Sequence, residues 1–188
     1  MSVNEKKRGR PKNSAGQLNA QIIIDKAKTL MHEEGKVPSI RKLAISLQID
    51  SMAIYHYFSN KNALLESLTT QLMKDIYNPE VNDNWRPELN ALCRSYLLLL
   101  ERYPGLLEIF LKMGAKSPSS IFAERLCVVI APLHMDTKMQ QHAQDLLVDY
   151  LHGFALAMRC NDGSSTLDHT MIDDSLDFFC LALESITS

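Results

Sequence analysis

A chain of 188 residues, 46% of them hydrophobic and 22% charged, can hold one large or two small domains with a real core. No apolar run approaches the roughly 18 residues that a membrane span needs, and the polar, basic N-terminus does not read as a signal peptide. The net charge of −2 hides a split: residues 1–61 hold 11 Lys+Arg against 5 Asp+Glu and the remainder 9 against 17, as in a nucleic-acid-facing module joined to an acidic body that DNA would repel.

Residues 1–15 are polar, with Lys6, Lys7, Arg8, Arg10 and Lys12 crowded together, and are expected to form a flexible basic arm. Within it Arg8-Gly9-Arg10-Pro11 looks like the core of an AT-hook, whose Arg8 and Arg10 would enter a narrow minor groove; a solvated tail with non-specific attraction is the other reading. A first helix is predicted from about Gly16 to Glu34, with Ile23, Ala27, Leu30 and Met31 at helical spacing and Gly35 placed to end it. Ser39 is the N-cap of a second helix, whose Ile40, Leu43, Ala44 and Leu47 form one apolar stripe. Asp50 caps a third helix that runs to about Tyr57. Asn60 caps a fourth, in which Leu64, Leu65, Leu68, Leu72 and Ile76 line one face. Asn78-Pro79 and the polar stretch to Asn84 break the chain near the charge boundary. Five more helices are predicted at about 86–102, 105–113, 119–131, 137–159 and 168–185, with no alternating strand pattern and no internal repeat. The fold class is therefore all-α, with about nine helices.

Residues 39–61 hold two short helices joined by a tight turn, with a basic anchor at each end, which is the build of a helix-turn-helix. The helix that enters the groove must begin with small or polar residues. Ser51 can hydrogen-bond a base edge or a phosphate, and Met52 and Ala53 can touch a thymine methyl. Tyr55 can fix register on a phosphate, with His56 beside it. Ile54 and Phe58 face the other way, into the core. Lys61 adds full charge to the exposed amides that open the fourth helix, while Ser39, Arg41 and Lys42 would grip the backbone on the other side.

The order and spacing of these residues resemble the TetR family of regulators over residues 20–66. The marks are Gly35 ending an apolar first helix, Leu43-Ala44 in a Ser/Thr-capped helix, Tyr55 to Phe58 ending the recognition helix, and Asn60-Lys61 followed by Leu64-Leu65. One departure is Gln48, where the family usually has Gly; the position is expected to be left-handed, at a strain of about 1 kcal/mol. The resemblance implies DNA contacts at Arg41, Ser51, Met52, Ala53, Tyr55, His56 and Lys61. It also implies a DNA-binding domain over 16–77, which includes the linking fourth helix, and a ligand-binding and dimerisation domain over 78–188.

In TetR-like proteins the last two long helices form a four-helix bundle with their copy. Here both are apolar enough to pack on two sides, which agrees with a homodimer. Residues 77–135 would surround the ligand, and Tyr77, Trp85, Tyr96, Tyr103, Phe110, Met113 and Phe122 suit a small apolar or aromatic molecule, although each would serve equally as core. Asp145, Asp149 and His152 share a helix face and read as solvated, so no metal site and no cofactor are expected. The four cysteines form no CxxC pair; each is expected to be a small buried hydrophobe in a helix, which fits a reducing cytoplasm. No GxSxG, P-loop, HExxH or GxGxxG is present, which argues against an enzyme. The expectation is a homodimeric cytoplasmic repressor that holds a palindromic double-stranded operator and is released by a small-molecule inducer. The alternative is a DNA-binding protein without a ligand.

Overall fold

A computed structural model describes residues 18–113, 119–160 and 167–187. The basic arm with Arg8 and Arg10 lies outside these residues, and so does the side chain of Met113. The described residues form nine α-helices and no strand: α1 (Ala20–Glu34), α2 (Ile40–Leu47), α3 (Ser51–Tyr55), α4 (Lys61–Lys74), α5 (Trp85–Arg102), α6 (Gly105–Met113), α7 (Ser119–Ile130), α8 (Thr137–Cys160) and α9 (Asp173–Thr187). The all-α expectation holds.

The first four helices start where short polar side chains satisfy orphan amides. Asn19 Oδ1 accepts from Ile22 N at 2.9 Å, Ser39 Oγ from Lys42 N at 3.1 Å, Asp50 Oδ1 from Met52 N at 2.7 Å and Asn60 Oδ1 from Ala63 N at 2.9 Å. Each such cap stabilises its helix by about 1 kcal/mol. The Asn19 cap explains why α1 opens at Ala20 and not near Gly16. Likewise α9 opens at Asp173, because Asp168 Oδ1 accepts from Thr170 N at 2.7 Å and from Thr170 Oγ1 at 2.5 Å and holds the residues before it in a turn. Two helices end in left-handed backbone: α1 at Gly35 (φ 63°) and α2 at Gln48 (φ 57°). Gln48 adopts the conformation expected of it. Its N–H bonds Ile45 O at 3.0 Å, and Ile49 N bonds Ala44 O at 3.0 Å, so the last carbonyls of α2 are occupied.

Ile23, Ala27, Met31, Leu43, Ala44, Ile54 and Phe58 close the small core of the N-terminal helices. α4 packs against α1 on one side and α7 on the other, carrying the core into the body through Leu68, Leu72 and Met73. There α5 is the central element, in contact with α6, α7, α8 and α9, and it buries Leu89, Leu92, Cys93, Tyr96 and Leu97. Arg86 grips Glu184 with two parallel bonds, Nε to Oε1 at 2.9 Å and Nη2 to Oε2 at 2.6 Å, and Arg94 pairs with Asp173; both tie α5 to α9.

Two contacts set the N-terminal head (α1–α4) against the body, and a third braces α1 against α4 within the head. Gly105 lies so close to the turn after α1 that a Cβ there would fall 2.8 Å from Val37 N. His32 Nδ1 donates to Arg102 O at 3.0 Å. Between α1 and α4, Gln21 and Gln71 exchange two amide bonds, at 3.0 and 2.6 Å. All four cysteines are in helices, but only Cys93 and Cys180 are buried; Cys127 and Cys160 are on outward faces of α7 and α8 and are exposed, unlike the expectation.

Candidate nucleic-acid interface and body site

The recognition helix is held from behind. Ile54 is fully buried and Phe58 nearly so, which turns the opposite side of α3 outward. Met52, Tyr55 and His56, at helical spacings of three and four, are all exposed there, Met52 to 65%. Ser51 and Ala53 are half-buried at the start of the helix. Lys61 is exposed at the first position of α4, and Arg41 is exposed on α2. Lys42 is partly neutralised, because its Nζ pairs with Glu34 Oε1 at 2.5 Å, and the Ser39 hydroxyl is engaged as the α2 cap. Tyr57 is occupied elsewhere: its hydroxyl donates to Leu18 O at 2.7 Å and ties the end of the recognition segment to the start of α1. Ile45, absent from the sequence-derived set, is 66% exposed on α2. A signal for it exists in the sequence, since it falls off the stripe formed by Ile40, Leu43, Ala44 and Leu47.

In the body, three of the seven aromatic and sulfur side chains expected around a ligand meet. Tyr96 of α5 lies 4.8 Å from Phe122 of α7 and 6.3 Å from Phe110 of α6, ring centre to ring centre. His152 of α8 completes the group, its ring 5.9 Å from Tyr96 and 6.0 Å from Phe110, with Tyr96 Oη and His152 Nε2 sharing a hydrogen at 2.7 Å. Burial raises the Tyr96 phenol pKa well above its ordinary value. Burial lowers that of His152, against a smaller opposing pull from Asp149, so both shifts favour the uncharged forms of the pair. The other three described members stand apart. Tyr77 is exposed, and its hydroxyl donates to Glu88 Oε2 at 3.0 Å, which raises its pKa. Trp85 is buried at the start of α5, and Tyr103 packs edge-on against His32 at 5.9 Å, in the head–body junction. Sequence reasoning misses His152 as a partner of the aromatic residues because its sequence neighbours Asp145 and Asp149 are polar; those two are exposed, while His152 turns inward. Among the described residues no group of three or more His, Cys, Asp and Glu is placed to hold a metal ion.

The outer face of α8 and α9 is apolar. Leu146 (64%) and Phe178 (75%) are exposed beside a groove of about 420 Å³ floored by Leu147, Leu176 and Phe179, and Leu181 (57%) is exposed on α9 as well. No helix among the described residues is long and apolar enough to cross a membrane.

Comparison with known proteins agrees with this geometry. Residues 23–68 match the family described as bacterial regulatory proteins, tetR family, and residues 78–185 match the tetracyclin repressor-like C-terminal domain. The HTH-type transcriptional repressor DrrR1 of Streptomyces coeruleorubidus is 26% identical over 142 residues, covering 73% of this chain and 53% of that protein. The chain thus spans about half the length of the curated relatives it matches. ActR of Streptomyces coelicolor, solved in complex with actinorhodin, has a TM-score of 0.74 at 17% identity, over 91% of this chain and 99% of ActR. BioQ, solved with its double-stranded DNA operator, also has a TM-score of 0.74 at 17% identity, over 90% of this chain and 99% of BioQ. With the C-terminal match alone spanning more than half of the sequence and the helix-turn-helix matched beside it, the chain belongs to the TetR family of DNA-binding bacterial regulators.

Proposed function

We propose that the protein is a homodimeric transcriptional repressor of the cytoplasm that binds a palindromic DNA operator and is released from it by a small apolar or aromatic molecule. The observation that carries the DNA part is the outward face of α3, where Met52, Tyr55 and His56 are exposed while Ile54 anchors the helix from behind. A methionine 65% exposed on a five-residue helix buries little of its side chain, and it suits contact with a thymine methyl. Ser51 and Ala53 would accompany it into the groove. Tyr55, His56, Lys61, Arg41, Ser39 and Lys42 would hold the flanking phosphates, and Arg8 and Arg10 would reach the minor groove. The apolar face of α8 and α9 supports a two-fold dimer, which would set two copies of α3 about 34 Å apart, one turn of duplex.

On this reading the body takes the ligand; ActR, which shares the fold, was solved in complex with actinorhodin. Tyr96, Phe110 and Phe122 would form the aromatic wall. Tyr77, Trp85, Tyr103 and Met113 would act from the rim or the frame, in a domain taken as 78–188 beside a DNA-binding domain of 16–77. Ligand and operator would then favour different body shapes, and each would weaken the other's binding by the same factor. A second reading, a DNA-binding protein without a ligand, draws on the close ring contacts of 4.8 to 6.3 Å, which an ordinary core also shows. Selection of bound duplexes from a random DNA pool at physiological salt tests the first part. Enrichment of a palindrome with half-sites about one turn apart is expected; salt-sensitive binding without enrichment would sink it. Given the operator, a panel of planar aromatic compounds that leaves its affinity unchanged would favour the ligand-free reading.

A further inference from the structure

We propose that Arg125 is the positioning residue that carries the state of the aromatic core to the reading head, by clamping the carboxyl end of α4 from α7. The inference rests on the regulator reading and deepens it.

The end of α4 needs such a partner. Asp75 follows the helix in right-handed backbone; its N–H covers Leu72 O at 3.1 Å and reaches Met73 O, but no left-handed turn follows to bring the chain back over Lys74 O and the carbonyls beyond it. The Arg125 guanidinium supplies donors to those carbonyls. Its Nη1 donates to Ile76 O at 2.5 Å, Tyr77 O at 3.2 Å and Met73 O at 3.4 Å, and its Nη2 to Lys74 O at 3.2 Å. A positive fork is thereby set against the negative end of a helix dipole, and a lysine could not match its geometry.

The other end of the linkage is the aromatic core. Phe122 lies one turn before Arg125 on α7, is 1% exposed, and faces Tyr96. A second tie runs in parallel: Ser95, the chain neighbour of Tyr96, accepts from Tyr77 N at 2.8 Å through its Oγ. At the opposite end of α4, Lys61 and Leu65 border a cleft of about 400 Å³ whose far wall is Glu108, Ile109 and Lys112 of α6. The helix is thus fastened at its carboxyl end and has room at its amino end. Fourteen residues span about 21 Å, so a tilt of about 5° at the clamp would shift Lys61 by roughly 2 Å.

The test is a double-mutant cycle read by hydrogen–deuterium exchange of the α4 amides in the intact chain, with Phe122→Leu as the perturbation of the core and Arg125→Met as the cut. It needs neither operator nor inducer, so failure of the DNA reading would not decide it. The expected result is that Phe122→Leu speeds exchange at the end of α4 about three-fold or more when Arg125 is present, and less than about 1.5-fold in the Arg125→Met background. An Arg125 that only stabilises the fold would give the same factor in both backgrounds, and that result, or no response of α4 to Phe122→Leu at all, would overturn the proposal. If Arg125→Met does not fold, Arg125→Lys and Tyr96→Phe complete the same cycle with gentler changes: a smaller factor in the Arg125→Lys background supports the clamp, and an equal factor overturns it.

Discussion

Two helices of the reading head end in the same left-handed backbone, one at a residue suited to it and one not, and this gives a paired prediction. Gln48 has φ 57° and ψ 40°, and its side chain is exposed. A side-chain-bearing residue in this region costs about 1–2 kcal/mol. Gln48→Gly would remove that strain but loosen the unfolded chain, which takes back about 0.4–1 kcal/mol. The net gain should be about 0.5–1 kcal/mol. Gly35→Ala is the reverse experiment. Its new Cβ would find Pro104 Cγ at 3.9 Å, ordinary contact, so the loss should come from φ alone and amount to about the same 0.5–1 kcal/mol. Gln48→Ala keeps the strain and should stay within a few tenths of wild type. Urea unfolding at matched slopes resolves these differences, and in thermal unfolding 1 kcal/mol corresponds to about 2–4 °C for a chain of this length. A loss of stability in Gln48→Gly, or an equal gain in Gln48→Ala, would refute the account of the turn.

Other outcomes follow from the site. Lys61→Ala should weaken binding to any selected duplex and lower the slope of log affinity against log salt by about 1; an unchanged slope would remove Lys61 from the phosphate contacts. If the proposed dimer forms through α8 and α9, it would bury the phenyl ring of Phe178, which is exposed in the single chain, and Phe178→Glu should raise its dissociation constant by about 100-fold or more; sedimentation velocity showing an unaltered dimer would refute that interface. Because burial lowers the His152 pKa, the unfolded chain takes up that proton first. Stability should therefore fall as pH drops below the ordinary histidine value of 6.5 and level off only once the folded histidine is protonated. His152→Gln should flatten the wild-type curve in that window, and identical curves would contradict the assignment.

The parts legible in the sequence are those set by local chemistry. Ser39, Asp50 and Asn60 cap helices where short polar side chains precede apolar spacing, and Gln48 turns left-handed where the chain must reverse within three residues. Spacing alone carries α3 two residues too far, because Tyr57 has helical neighbours but is drawn instead to Leu18. What stays hidden depends on pairs far apart in the chain. Arg125 looks like any helix-surface arginine until α7 is laid against α4, 49 residues along the chain from Ile76, its shortest-bonded carbonyl partner. His152 looks solvated until α5 brings the Tyr96 hydroxyl to it, and Tyr103 looks like a pocket residue until the body meets His32. Periodicity tells which face of a helix is apolar, but not which other helix will cover it.

The Gln21–Gln71 pair that joins α1 to α4 carries no formal charge on either side. Its two amide bonds are neither screened by ions nor titrated between mildly acidic and mildly alkaline solution. Grip on a duplex, in contrast, weakens steeply with added salt. This joint inside the head therefore keeps its alignment under the ionic conditions that loosen the hold on DNA. A salt titration of binding would then count phosphate contacts, without a concurrent slackening of this joint.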